Sequence, residues 1–162
     1  TRPNPYGAAR YERGFRMDFS VVRRNETSPL TGHKTLNYGD CILEHRAAAA
    51  AGMDERIFLN TRGKLAEGTV SNLFLVSGGR IYTPALSCGL LPGVLRSYVL
   101  ERYCVEEGEI DQRELGSFDE CFVTNSLMGV MPVKQLGERI FPSRETADRL
   151  RSAYEAEKET LK

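Results

Sequence analysis

Lys34 has the position in this sequence that most invites a chemical explanation. It lies in GHKTLNY, residues 32–38, just before DCILEHRAAAAAG. The alanine run favours helix and Gly52 would end it, so a helix is predicted from about Lys34 to Ala51. A helix N-terminus carries partial positive charge, so a lysine there is unfavourable by about 0.3–1 kcal/mol at exposed sites. Extension of the side chain into water removes most of that cost, so the position alone assigns no role.

Three further stretches carry polar groups suited to binding a charged ligand. In AEGTVSNLFLV, Glu67 comes just before an apolar strand, where a carboxylate can face a buried cationic group. In TPALSCGLLPGVLR, Gly89 and Gly93 bracket a helix start, whose free backbone N–H groups suit a phosphate. FVTNSLMGVMPV ends a strand with Thr, Asn and Ser at 124–126, which suit phosphate or carboxylate contacts. Each stretch by itself fits an ordinary polar turn or helix entry equally well.

The elements that must position these groups are mostly strands. Strands are predicted at Phe15–Arg24, Arg56–Asn60, across a hairpin with its turn at Gly78-Gly79, at CVEEGEI, at ECFVTN and as strand–turn–strand in VMPVKQLGERIF. Helices are predicted at Lys34–Ala51, at Leu91–Tyr103 with Pro92 in the first turn, and from Ser143 onward, with a short helical turn at Asp111–Leu115. Strands outnumber the three helices, so the fold class is mixed α/β without a simple βαβ alternation.

Composition argues against several functional classes. The 22 basic and 22 acidic residues give a formal net charge of zero, and Arg23-Arg24 is too short to be a nucleic-acid-binding stripe. No apolar run approaches the roughly 18 residues of a membrane span, and no signal peptide is recognisable. The four cysteines lack CxxC or Cys/His spacing. We therefore expect reduced, mostly buried thiols in a cytoplasmic protein, with no metal site and no disulfide framework.

The four chemical stretches together carry a family resemblance. HKTLNY, EGTVSNLF, GLLPGVLR and FVTNSLMGVMP resemble, in order and spacing, the fold-type IV pyridoxal-phosphate enzymes, also called class IV aminotransferases. The resemblance covers about residues 15–142 and implies a mixed-sheet pseudo-barrel flanked by helices. Within that family, RRNETSPLTGHKTLNY and VTNSLMGVMPV look most like the aminodeoxychorismate lyases.

The resemblance assigns roles around pyridoxal 5′-phosphate. It implies that Lys34 is the Schiff-base lysine, which acts as a neutral amine. It implies that Glu67 accepts a hydrogen bond from the pyridine nitrogen and keeps the ring protonated as an electron sink. Tyr38 would contact the ring oxygen of the cofactor.

The phosphate and substrate ends of the site follow from the same resemblance. The backbone N–H groups of Val94 and Leu95 would hold the phosphate, assisted by the Ser126 hydroxyl. Many relatives carry Thr where this chain has Leu95, so one side-chain hydroxyl is lost from the phosphate cup. The substrate-side candidates are Asn125, Leu127 and Met128. Neither Arg23 nor Arg24 has a spacing from Lys34 that assigns it to the phosphate.

The reaction implied is conversion of 4-amino-4-deoxychorismate to p-aminobenzoate and pyruvate, a step of folate biosynthesis. Lys34 would serve as the general base at the carbon that bears the substrate amine. A branched-chain or D-amino-acid aminotransferase of the same family is the alternative, because both reactions use the same cofactor residues. A second alternative is a non-catalytic domain that keeps the fold for ligand binding or assembly.

The resemblance also predicts domain organisation. The Pro-, Gly- and Arg-rich start, residues 1–14, is interpreted as an interdomain linker or as a processed start. Residues 15–162 would be the C-terminal cofactor-binding domain, with the N-terminal domain missing from this chain. We therefore expect weak or absent turnover from the chain alone and a homodimer in the full-length protein. The expected partner is a small-molecule substrate, with no nucleic acid or membrane.

Overall fold

The computed structural model describes residues 5–160, and this part of the chain forms nine strands and four α-helices. The strands are β1 (Phe15–Arg24), β2 (Glu55–Asn60), β3 (Leu65–Gly68), β4 (Asn72–Ser77), β5 (Arg80–Pro84), β6 (Val105–Gly108), β7 (Glu120–Asn125), β8 (Gly129–Leu136) and β9 (Arg139–Ile140). The helices are α1 (Ala8–Arg13), α2 (Gly39–Ala50), α3 (Val94–Arg102) and α4 (Glu145–Thr160), with 3₁₀ turns at Leu86–Cys88 and Gln112–Ser117.

Six of the strands close into a small barrel. They follow one another in the order β3-β2-β1-β8-β7-β4, and a pairing of β3 with β4 joins the two ends. β1 is parallel to both of its neighbours, whereas the other barrel pairings are antiparallel. β5 and β6 extend the sheet beyond β4, and β9 pairs with β8. The predicted mixed α/β class, a mixed-sheet barrel flanked by helices, is confirmed.

Two apolar clusters hold the barrel and its helices together. The larger cluster takes buried side chains from all six barrel strands, among them Met17, Ile57 and Leu73. The smaller one includes Phe74 and joins the sheet to α3 and α4 through residues such as Val99 and Leu150. β4 therefore alternates between the two clusters along its length, as a strand buried on both faces must.

Helix α2 begins later than the sequence indicates. Its first residue is Gly39, so the predicted start at Lys34 is wrong and Lys34 lies in the loop between β1 and α2. Asp40, an acidic residue, occupies the first turn, where it complements the helix dipole. The end at Gly52 is as predicted. Gly52 has a φ of 71°, and the Met53 N–H donates to the Ala48 carbonyl in a Schellman arrangement.

The start of α3 also differs from the prediction. The helix begins at Val94 with Gly93 as its N-cap, so Pro92 precedes the helix and is not in its first turn. The residue before a proline is disfavoured in the helical conformation, and Leu91 accordingly lies outside the helix.

Strand β3 and helix α1 were absent from the sequence-based expectation. β3 is only four residues long, and its pairings with β2 and β4 close the barrel. α1 lies in the stretch interpreted as a linker, whose first four residues fall outside the described part of the chain. Its Tyr11 is buried and donates to the Met128 carbonyl oxygen at 2.8 Å. The domain boundary at residue 14 stays a prediction.

The four cysteines are free thiols, with Cys41, Cys88 and Cys121 buried and Cys104 exposed. Within residues 5–160, no group of three or more His, Cys, Asp or Glu side chains is arranged to hold a metal ion. No helix in this same part of the chain has the length and apolar character needed to cross a membrane.

Candidate active site

A cleft of about 200 Å³ lies between the end of β1, the loop that follows it and the start of α2. Arg24, Tyr38, Cys41 and Phe58 are among its lining residues. The loop between β1 and α2, residues 25–38, contains no buried residue and forms one wall of the cleft.

A buried carboxyl group and a guanidinium group meet at the base of this region. Arg24 Nη2 lies 2.8 Å from Glu67 Oε1 and 3.1 Å from Cys41 Sγ. The Arg24 guanidinium also stacks 4.6 Å from the centroid of the Phe58 ring. The pattern around Glu67 predicted a carboxylate that faces a buried cation, and Arg24 is that cation. No role was assigned to Arg24 from its spacing to Lys34, so the sequence reasoning missed it.

Burial dominates the electrostatics of Glu67. The side chain is only 7% exposed, and this desolvation raises the pKa of Glu67 to about 7 although the charge of Arg24 acts in the opposite direction. A carboxyl group with a pKa near 7 can hold or release a proton at neutral pH.

Glu67 is linked directly to the segment that begins α3. Its Oε2 accepts a hydrogen bond from the Leu91 N–H at 3.1 Å, and the Leu91 carbonyl accepts one from Asn72 Nδ2 at 2.8 Å. A Cβ atom on Gly93 would lie 2.3 Å from Asn72 Oδ1, so any larger residue here would displace the Asn72 side chain. The carboxyl group and the start of α3 are therefore held in a fixed relation.

The N-terminus of α3 presents free backbone donors. The first bond of the helix runs from the Ser97 N–H to the Gly93 carbonyl at 3.0 Å, so the N–H groups of Val94 and Leu95 have no partner within the helix. The Val94 side chain is 74% exposed, whereas Leu95 is buried. These donors and the positive end of the helix dipole favour an anion.

Tyr38 is joined to the segment after Glu67. Its hydroxyl donates to the Thr69 carbonyl at 2.6 Å. Burial of the phenol, with Cys41, Glu55 and Glu67 nearby, raises the pKa of Tyr38 to about 12. The hydroxyl therefore stays protonated at neutral pH and can donate a hydrogen bond.

Lys34 stands apart from these groups. It is exposed on the loop before α2, and its side chain makes no hydrogen bond or ion pair with any residue in the range 5–160. Thr31 and Asn37, on either side of it, line the cleft, but Lys34 does not.

The turn after β7 carries the remaining predicted residues. Asn125 is occupied by structural contacts, because its Nδ2 donates to the Val70 carbonyl and its Oδ1 accepts from the N–H groups of Leu127 and Met128. Ser126 is exposed, Leu127 is 67% exposed and Met128 is 2% exposed, within the larger core cluster.

The structure thus brings together Glu67, Tyr38 and the start of α3, and it adds Arg24 to them. Lys34 and Ser126 are exposed and make no contact with that group. The arrangement offers a proton-holding carboxyl, a phenol donor, free N–H groups for an anion, and an unpaired amine at the loop nearby.

Comparison with known proteins points to one family. The sequence model of the amino-transferase class IV family matches residues 1–136. A probable branched-chain-amino-acid aminotransferase from Thermotoga maritima is 32% identical over 144 residues, which are 85% of this chain and 52% of that protein. The chain spans about half the length of the curated relatives it matches.

Solved structures give the same result for the fold. The 4-amino-4-deoxychorismate lyase from Pseudomonas aeruginosa matches with a TM-score of 0.84 and 30% identity, over 94% of this chain and 58% of that one. The T.th. branched-chain amino acid aminotransferase, complexed with N-(5′-phosphopyridoxyl)-L-glutamate, matches with a TM-score of 0.79 and 30% identity, over 88% of this chain and 51% of that one.

Proposed function

Because this chain belongs to the amino-transferase class IV family, we propose that it acts as a pyridoxal-phosphate enzyme and binds its cofactor covalently through Lys34. The observation that carries the proposal is the contact of Glu67 with Arg24 on one side and with the Leu91 N–H on the other. These contacts hold a proton-binding carboxyl beside a helix start suited to phosphate. The phosphopyridoxyl ligand in the T.th. aminotransferase supports the same cofactor.

The residues present fit this cofactor. Arg24 Nε is buried without a hydrogen-bond partner in the described part of the chain, and the Val94 and Leu95 N–H groups have none within their helix. A ligand that carries a phosphate and a polar ring would satisfy such groups. Leu95 supplies only its backbone, since its buried side chain has no hydroxyl to offer.

Each residue has one physical task in this proposal. Lys34 anchors the cofactor through its amine and moves the proton at the substrate carbon that bears the amine. Glu67 holds a proton at the ring nitrogen, and Tyr38 orients the ring oxygen. When bound, pyridoxal phosphate supplies an electron sink for the carbanion that proton loss creates.

The anionic end of the cofactor has a separate set of donors. The N–H groups of Val94 and Leu95 hold the phosphate, and the exposed Ser126 hydroxyl assists them. Asn125 shapes the neighbouring turn through its two bonds to backbone N–H groups. Leu127, which is exposed at the same turn, is the substrate-side candidate best able to contact a ligand, whereas Met128 is buried in the core.

Within the family we propose aminodeoxychorismate lyase activity, with p-aminobenzoate and pyruvate as products. The sequence of the turn after β7, NSLMG, supports this choice, and so does the similarity to the Pseudomonas aeruginosa lyase. Branched-chain aminotransferase activity is the second candidate, supported by the similarity to the Thermotoga maritima relative. The activity of the whole protein, its homodimeric assembly and the residues that complete its substrate pocket belong to the same proposal.

Product analysis tests the choice between the two reactions. The chain is incubated with pyridoxal phosphate and 4-amino-4-deoxychorismate, and p-aminobenzoate and pyruvate are measured together. A parallel reaction with a branched-chain amino acid and 2-oxoglutarate reports amine transfer. We expect weak formation of p-aminobenzoate and pyruvate in equal amounts, lost in Lys34→Ala. Amine transfer without p-aminobenzoate would replace the lyase by the aminotransferase.

A further inference from the structure

A second buried carboxylate, Glu55, lies behind the candidate active site at the first position of β2. Its side chain is fully buried. Glu55 Oε1 accepts hydrogen bonds from Thr69 Oγ1 at 2.5 Å, from the Thr69 N–H at 3.0 Å and from the N–H of Arg56 at 3.0 Å. Oε2 accepts from Ser71 Oγ at 3.1 Å and from the Val70 N–H at 3.4 Å. Three consecutive residues, 69–71, are thus bonded to one carboxylate.

The charge of Glu55 is balanced mainly by these N–H and O–H donors. The ion-pair partner that faces it is His45, whose Nδ1 lies 3.9 Å from Oε1 and 3.1 Å from Thr69 Oγ1. His45 is 45% exposed at the side chain. A carboxylate held in this way fixes the conformation of the segment that donates to it, because each donor would otherwise be buried without a partner.

The segment bound to Glu55 contacts two residues of the candidate site and is flanked by two others that belong to it or bond to it. It follows Glu67 directly in the chain. The Thr69 carbonyl accepts the Tyr38 hydroxyl, and the Val70 carbonyl accepts Asn125 Nδ2. The residue after the segment, Asn72, bonds to the Leu91 carbonyl just before α3.

Gly68, at the start of this segment, passes close to the carboxylate. A Cβ atom on Gly68 would lie 2.3 Å from Ser71 Oγ and 3.2 Å from the Glu55 carboxyl group. A larger residue at this position would therefore have to displace the Ser71 hydroxyl and press on the Glu55 carboxyl group. The hydrogen bonds of Glu55 and the close approach of Gly68 therefore act on the same segment.

We propose that Glu55 is a positioning residue, which holds residues 68–72 so that Glu67, Tyr38 and Asn125 keep the arrangement that cofactor binding requires. This inference rests on the proposed function for its consequence, although the clamp itself is a property of the chain without ligand. The Glu55 side chain is fully buried. Its effect passes through the backbone of residues 68–72.

Two substitutions of buried carboxylates separate positioning from general stability. Glu55→Gln turns one acceptor oxygen into a donor that faces the Val70 N–H and the Ser71 hydroxyl. Glu120→Gln is the matched control, since Glu120 is also buried and accepts bonds from Ser143, Thr146 and Ala147 at the start of α4. Ser71→Ala is a milder second variant, which removes one hydroxyl and keeps the carboxylate.

The readout is backbone amide hydrogen exchange without cofactor, followed by titration with pyridoxal phosphate. In Glu55→Gln we expect exchange across 68–72 to rise about tenfold or more, the effect of losing one or more buried hydrogen bonds, with a smaller rise in Ser71→Ala. Glu120→Gln should raise exchange at 143–147 and leave 68–72 unchanged. The dissociation constant for pyridoxal phosphate should rise about tenfold in Glu55→Gln and stay at the wild-type value in Glu120→Gln.

The two readouts also distinguish which statement fails. Equal exchange across 68–72 in wild type, Glu55→Gln and Ser71→Ala would overturn the positioning role, whatever the cofactor does. A rise in exchange with unchanged cofactor affinity would overturn its link to the site. If wild type itself binds no pyridoxal phosphate, the proposed function fails, while the exchange result still decides whether Glu55 holds the segment.

Discussion

Replacing Glu67 with glutamine should remove a pH-dependent loss of stability that the wild-type chain shows between about pH 5 and pH 8. Burial raises the pKa of Glu67 from its ordinary 4.5 to about 7 in the folded chain. Between these values the folded chain holds a proton that the unfolded chain releases. The stabilising effect of that proton is complete below the unfolded pKa and is lost as pH rises through the folded pKa.

The expected size follows from the shift. A displacement from 4.5 to about 7 corresponds to a change of about 3 kcal/mol in the free energy of unfolding of wild type relative to Glu67→Gln. Urea unfolding of both proteins across this pH range measures the change. The difference between their free energies of unfolding is compared, because the titration of other groups contributes equally to both and cancels. If the difference in free energy of unfolding does not change with pH, Glu67 has its ordinary pKa in the folded chain and burial does not raise that pKa.

Replacing Arg24 with methionine should destabilise the folded chain by about 3 kcal/mol at pH 8, as expected when one partner of a buried ion pair is removed. Methionine keeps much of the side-chain length and can still pack on Phe58, so the main loss is the charge that faces Glu67. At about pH 5 the loss should be smaller, because Glu67 is then protonated and has no charge to leave unpaired.

Arg23→Met is the matched control for this variant. Arg23 is exposed, so its replacement should change the free energy of unfolding by no more than about 0.5 kcal/mol. Thermal or urea unfolding of both variants at the two pH values gives the comparison. Equal effects of the two substitutions would contradict the assignment of Arg24 as the counter-charge of Glu67.

Local patterns in the sequence were sufficient to predict most of the strands. The hairpin with its turn at Gly78-Gly79 was recognisable because turn glycines separate two apolar runs, and β1 and β7 were recognisable from their apolar residues. Alternation was a weaker guide to burial within β1, since Val21 is 83% exposed although it follows the period of Phe15 and Met17. β3 was missed because four residues are too few to show a period.

The helix starts and the ion pair depended on information that a local pattern does not contain. The alanine run predicts a helix but not its first residue, which is fixed where the loop after β1 turns at Leu36–Tyr38. The contact between Arg24 and Glu67 joins the end of β1 to β3 across the intervening strand β2, so it arises only when these three strands pair in that order. The sequence around Glu67 predicted a cationic partner. Which residue supplies the cation depends on the order of the strands in the sheet, which a local pattern does not contain.

The measurement that tests the account most directly is the visible absorbance of the chain after incubation with pyridoxal phosphate and dialysis. It compares wild type, Lys34→Ala and Lys134→Ala, the last being an exposed lysine on β8 that lies outside the four motifs. We predict an absorbance band that survives dialysis in wild type and in Lys134→Ala and is absent from Lys34→Ala. A band of equal strength in all three proteins, or a wild-type chain that retains no cofactor, would contradict the assignment of Lys34 as the residue that binds it.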